Sequence, residues 1–148
     1  MVEHGLEARI QALEDTEAVK KLKAKYWRCI DRKLWDELAD CFMVDARADY
    51  GTNMKFDGRE AIIRFLQNSL GGENITTTHG GHNPEIEMIT ASTARATWAL
   101  NDYIVIRPNT KRRGWGFYED EYVKENGVWK IKMTREFNLL EEWDTTKC

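Results

Sequence analysis

Between residues 15 and 42 apolar side chains recur at spacings of three and four. Ala18, Val19, Leu22, Tyr26, Cys29 and Ile30 share one helical face, and Leu34, Leu38, Cys41 and Phe42 form a second short run. That period predicts two amphipathic helices, the first with Asp15 as its N-cap. The stretch "VDARADYGTNMKFDG" alternates and ends in Asp57-Gly58, which predicts a hairpin. It leads to a third helix, "REAIIRFLQNSL", with Ile62, Phe65, Leu66 and Leu70 inward and Gly71-Gly72 as its stop. Beyond residue 72 the period falls to two: one or two strands in "NITTTHGGHNPEIEMI", a long strand in "STARATWALNDYIVI", and a hairpin in "RRGWGFYEDEYVKENGVWKIKMTREFNLL" that turns at Asn126-Gly127, a type I′ signal. Helices first and strands after them predict a single α+β domain over residues 1–148, with helices laid on one curved antiparallel sheet.

The informative positions are those that break this pattern. On the long strand Ala94, Ala96, Trp98, Leu100, Asp102, Ile104 and Ile106 share a face, so Asp102 interrupts an apolar stripe. A buried carboxylate needs a partner, or it keeps its proton; a bulge that turns Asp102 outward is the competing explanation. His79 shares a face with Ile75 and Thr77 if "ITTTH" is extended, and a single histidine there is by itself more often structural than catalytic. His82 would point to the other face, so "HGGH" makes a poor metal site, and a third ligand is not evident. Arg135 falls on the stripe of Trp129, Ile131, Met133 and Phe137, where its stem could cover apolar surface with its head in water. Tyr26 lies within the buried stripe of the first helix, and its hydroxyl must find a partner there. Trp27, Trp98, Trp115 and Phe117 either line an apolar pocket or fill a core, and alternation in "RRGWGFYEDEY" leaves both faces open as the inner one.

Composition narrows the class. A chain of 148 residues can bury a core of its own without disulfides or a structural metal. Its charged residues, 32% of the chain, carry both signs and leave a net charge of -3, which argues against a nucleic-acid or anionic-membrane binder. Cys29, Cys41 and Cys148 fit no ligand or disulfide spacing and read as reduced thiols. The first residues lack the apolar core of a signal peptide, and no stretch is apolar enough to span a membrane, so a cytoplasmic protein is expected.

The segments "KAKYWRCIDRKLWDELADCF", "GREAIIRFL", "TTHGGHNPEIEM" and "FYEDEYVKENGVWKI", in that order, resemble the SnoaL-like group of the nuclear-transport-factor-like superfamily. The likeness is strongest to its bile-acid 7-alpha-dehydratases and more distant to scytalone dehydratases and hexachlorocyclohexane dehydrochlorinases. The resemblance implies a cone-shaped α+β barrel around an apolar pocket. By motif, Tyr26 matches the pocket tyrosine, Asp31 and His79 match an Asp-His dyad, and Asp102 matches an acidic residue of the wall. It implies a dehydratase that uses neither metal nor organic cofactor. In that reading His79 is the general base, Asp31 orients it, and Tyr26 and a protonated Asp102 donate hydrogen bonds to the enolate or the departing hydroxyl. Asn138 aligns where the bile-acid enzymes carry an arginine on the last strand, with Arg135 the nearest inward cation by alternation.

The implied partner is an apolar small molecule, polycyclic and steroid-like or polyketide-like, free or as a thioester. A homo-oligomer is implied too, a trimer favoured over a dimer. A ketosteroid-type isomerase, a polyketide cyclase, a non-catalytic ligand-binding module and an assembly domain stay open, since this fold hosts them all. Asp31 poses the sharpest geometric question. A helix continuing through Ile30 would leave it in water beside Arg32 and Lys33; the dyad requires the helix to end or kink near Cys29 to Asp31 so that the carboxylate turns inward.

Overall fold

The structure, a computed structural model, describes residues 5–146, so Cys148 lies outside the described residues. Among these are helices α1 (Leu6–Asp31), α2 (Trp35–Ala39) and α3 (Arg59–Leu70), and strands β1 (Phe42–Asp49), β2 (Lys55–Asp57), β3 (Ile75–Thr90), β4 (Thr93–Ile106), β5 (Thr110–Glu125) and β6 (Val128–Thr145). The strands form one sheet in the order β2-β1-β6-β5-β4-β3. Its pairings are antiparallel except for β1 with β6, which run parallel. The sheet is open, with β2 and β3 at its edges, so the expected barrel is a mixed sheet that does not close. It curls nonetheless. Helix α3 touches both β1 and β3, which lie four strand spacings, about 19 Å, apart along a flat sheet, more than the width of one helix.

Helix α1 begins well before Asp15, because Leu6 to Glu14 is rich in good helix formers. Asp15 is therefore no N-cap. It is a buried mid-helix carboxylate that accepts from Trp129 Nε1 at 2.8 Å and Lys124 Nζ at 2.9 Å. Burial pushes its pKa up, but the bonds from Trp129 and Lys124 outweigh that and hold it below the ordinary value. The second apolar run is helical only over α2, and Phe42 already opens β1. The type I′ turn is present, with Asn126 and Gly127 at φ 51° and 77°.

The end of α1 is built by its backbone. Lys33 takes a left-handed conformation, φ 56°. Its N–H bonds to the carbonyl of Ile30 at 3.1 Å, and the N–H of Leu34 reaches the carbonyl of Cys29 at 2.8 Å. This is the Schellman pattern of a helix stop with lysine in the place glycine usually takes. The lysine earns its place through its ammonium, which donates to the carbonyls of Gly72 and Ile75 and ties the helix end to the start of β3. Further along β3, Gly81 lets the helix approach: a Cβ there would stand 1.8 Å from the Trp27 ring. The glycines of "HGGH" thus serve helix-on-sheet packing, while His82 is exposed.

Candidate active site

The inner face of the sheet follows alternation through β4 and β5 and breaks it in β6. Ala94, Ala96, Trp98, Leu100 and Asp102 face inward from β4, and Arg112, Gly114, Gly116, Tyr118, Asp120 and Tyr122 from β5. On β6 Ile131 pairs with Tyr122 while Met133 pairs with Glu121, so Lys132 is an extra residue in a bulge. One extra residue exchanges the two faces of everything after it. Thr134, Glu136 and Asn138 consequently point inward, and Arg135 and Phe137 outward. The expected place of Arg135 in the pocket is corrected: it lies against Glu119 and Asp49, half exposed.

A cavity of about 360 Å³ opens between α1, α3 and this face, lined by Tyr26, Tyr50, His79, Asp102, Arg112, Tyr118, Glu136, Asn138 and Glu141 among apolar neighbours such as Ile30, Phe65 and Leu66. His79 and Asp102 stand directly opposite each other on β3 and β4, and Asp102 stands opposite Gly114 on β5. Asp31, the last residue of α1, meets the start of β3 with both oxygens. Oδ1 accepts from Thr77 Oγ1 at 2.8 Å and lies 2.6 Å from His79 Nδ1, and Oδ2 accepts from the backbone N–H of His79 at 2.9 Å. Charge-assisted bonds of this kind contribute about 1.5–3 kcal/mol each. They exceed the roughly 0.3–1 kcal/mol that an acid costs at a helix C-terminus. The His79 ring is 5% exposed. With Nδ1–H directed at the carboxylate, the ring presents its unprotonated Nε2 on the cavity side.

Tyr26 is fully buried, and its hydroxyl lies 2.9 Å from that of Tyr50, which lines the same cavity. Burial raises both phenols above their ordinary pKa, so the pair retains its protons and can donate one into the cavity. Asp102 is indeed buried on the apolar stripe, but it pairs with Arg112 Nη1 at 2.6 Å. A carboxylate so paired accepts and has no proton to give, which corrects the expectation of Asp102 as a donor. Arg112 also donates to Glu141 at 2.8 Å. Burial works against its charge, yet Glu141 and Asp102 together hold the guanidinium above its ordinary pKa. Asp102 Oδ1 and Asn138 Oδ1 are buried without hydrogen-bond partners, 2.3 and 2.8 Å from where a Cβ on Gly114 would stand.

Of the residues expected to contact substrate, only Asn138 lines the cavity. Trp27 and Trp98 are core residues, stacked edge to face at 5.3 Å. Trp115, 37% exposed, and Phe117, beside Phe137 at 6.0 Å, lie on the outer face. Sequence reasoning missed Arg112, Glu136, Glu141 and Tyr50. Arg112 was within reach, since β4 and β5 form a hairpin in which Arg112 faces the same way as Asp102; Tyr50 follows the last residue of β1 and belongs to no period.

Residues 11–135 match the model of the SnoaL-like domain. The chain belongs to that family. Its fold is shared by a protein assigned as a scytalone dehydratase from Novosphingobium aromaticivorans, 23% identical over 95% of this chain and 93% of that one, with a TM-score of 0.84. Hexachlorocyclohexane dehydrochlorinase LinA-type3 from Novosphingobium barchaimii is 17% identical over 95% and 96% of the two chains, with a TM-score of 0.84. ActVI-ORFA from Streptomyces coelicolor is 12% identical over 84% and 96%, with a TM-score of 0.72. At these identities the likeness establishes the fold of the SnoaL-like chain.

Proposed function

We propose that this SnoaL-like protein is a dehydratase that needs no cofactor, removing water from a ring-bearing β-hydroxy ketone or its thioester counterpart. The observation that carries the reading is the Asp31–His79 pair at 2.6 Å on the wall of an apolar cavity. An imidazole fixed by a carboxylate on Nδ1 can take a proton at Nε2, and the carboxylate stabilises the imidazolium that forms. The proton comes from the carbon beside the carbonyl. The Tyr26–Tyr50 hydroxyl pair donates to the oxygen on which negative charge then develops. Loss of the β-hydroxyl completes the reaction. Among the proteins that share the fold are a scytalone dehydratase by assignment and a dehydrochlorinase, both names that describe eliminations. The cavity, about 360 Å³, is near the lower end of ligand pockets, roughly 300–1,000 Å³, and suits a bicyclic molecule better than a four-ring steroid.

The test uses 3-hydroxy-1-tetralone as a probe in D2O. The protein should catalyse both deuterium exchange at the carbon beside the carbonyl and loss of water to 1-naphthol. His79→Ala should lower both by about 10³-fold, within the range of general-base catalysis, and Asp31→Asn should lower them comparably. Turnover unchanged in His79→Ala would falsify the assignment of the base, and a product of unchanged mass would replace dehydration by isomerisation.

A further inference from the structure

Glu136 is the one acid on the cavity wall that the base and the tyrosine pair leave without a task. The β6 bulge turns it inward, three strand positions along the sheet from His79. Tyr118 donates to its Oε2 at 2.8 Å. Among the described residues Oε1 has no hydrogen-bond partner, and no lysine or arginine approaches the carboxyl within ion-pairing distance. The cations nearby are engaged: Lys23 with Asp120 at 2.8 Å, Arg112 with Asp102 and Glu141. A buried carboxyl without a cation is held in its protonated form, and burial raises Glu136 above its ordinary value.

We propose that Glu136 is the general acid that protonates the departing hydroxyl, opposite the base His79; this rests on the dehydratase reading. The C–H bond beside the carbonyl breaks, its proton goes to His79 Nε2, and its electron pair forms the enolate. The enolate collapses to a carbon–carbon double bond as the C–O bond breaks, and the proton of Glu136 goes to the leaving oxygen, giving water. The Tyr118 hydroxyl steadies the carboxylate left behind. A proton then returns from the imidazolium to Glu136 through solvent, so the net change is one alkene and one water per substrate.

A leaving group that needs no proton separates this role from a structural one. Two probes are used, 3-hydroxy-1-tetralone and 3-chloro-1-tetralone, with the uncatalysed rates subtracted. Glu136→Gln, which matches the side chain in size, should slow loss of water by about 100-fold or more, while deuterium exchange continues and loss of chloride changes by no more than about threefold. Infrared spectroscopy of the free wild-type protein at neutral pH should show a protonated-carboxyl band that Glu136→Gln abolishes. Equal slowing on both probes, no slowing on either, or no such band overturns the inference while wild-type exchange leaves His79 as base intact. Wild-type protein that exchanges no deuterium overturns the dehydratase reading, and the role of Glu136 with it.

Discussion

Two buried polar clusters share the interior of this protein, and they differ in what they leave unfinished. The first surrounds Lys23, which is 0% exposed. Its ammonium pairs with Asp120 at 2.8 Å, reaches Thr134 Oγ1 at 3.3 Å and lies 3.7 Å from the centre of the Tyr118 ring. Asp120 takes further bonds from Tyr122 and Thr134 at 2.6 Å each, and Trp98 donates to Tyr122. Donors and acceptors there are satisfied. The second cluster lines the cavity, where His79 Nε2, Glu136 Oε1, Asp102 Oδ1 and Asn138 Oδ1 have no partner among the described residues. Both carry the desolvation cost of buried charge. One spends its bonding capacity on itself, and the other holds it in reserve beside a space that admits a ligand. The adjacency is close, because Tyr118 joins them: its ring faces Lys23 and its hydroxyl faces Glu136.

If the Lys23 cluster is structural, breaking it should cost stability first. Lys23→Met leaves the Asp120 carboxylate buried without its cation, and losing one member of such a pair costs about 3–5 kcal/mol. For a chain of this size that lowers the melting midpoint by roughly 10 °C. Calorimetry of the variant checks it, and a midpoint within about 2 °C of wild type would erase the distinction drawn between the clusters. His79→Ala should do the reverse, with activity lost and the melt barely moved.

A smaller effect is expected at Gly114, where the unsatisfied cluster is most crowded. A methyl group there would meet Asp102 Oδ1, Asn138 Oδ1 and Arg112 Nη2, all within 2.9 Å. Gly114→Ala must displace the Asp102–Arg112 pair, and overpacking of this kind costs about 1–3 kcal/mol. Urea titration measures it. An unperturbed variant would mean that the wall is looser than its distances imply, and that its unpartnered oxygens are not held in place.

How far this contrast could be read from the sequence depends on the strand. In β4 strict alternation placed Asp102 on the buried face, and it is there. In α1 the period identified the stripe of Val19, Tyr26 and Ile30, all buried. The inward turn of Asp31 came from the family resemblance and from no periodicity, because the helix stop that produces it uses a left-handed lysine where a glycine would have announced it. β6 defeated pattern reading altogether. A bulge at Lys132 leaves no mark in a run of alternating charged and apolar residues, yet it exchanges Arg135 for Glu136 at the cavity. The aromatic residues misled for a related reason. In "RRGWGFYEDEY" Trp115 and Phe117 are the larger and more apolar set, but the inward set is the one with two glycines and Arg112, since this wall must leave room and carry charge. Hydrophobicity predicts which face is filled, and here the functional face is the less filled one.

The mildest effect should appear in the pH dependence of stability, where the two clusters again part. Glu136 has its pKa raised above 4.5 in the folded protein by burial. Between 4.5 and the raised value the folded state therefore binds more protons than the unfolded one. By linkage the contribution of Glu136 to stability is fully present below about pH 4.5 and is lost as pH rises through the folded value. Asp15 and Glu141 are lowered and act with the opposite sign as pH falls, so the measurable quantity is the difference between wild type and Glu136→Gln. Urea unfolding from pH 4.5 to 8 should find the variant gaining on the wild type as pH rises, because glutamine never ionises. A constant difference across that range would mean that Glu136 is already charged in the folded protein, and the cavity wall would then hold three carboxylates and no acid.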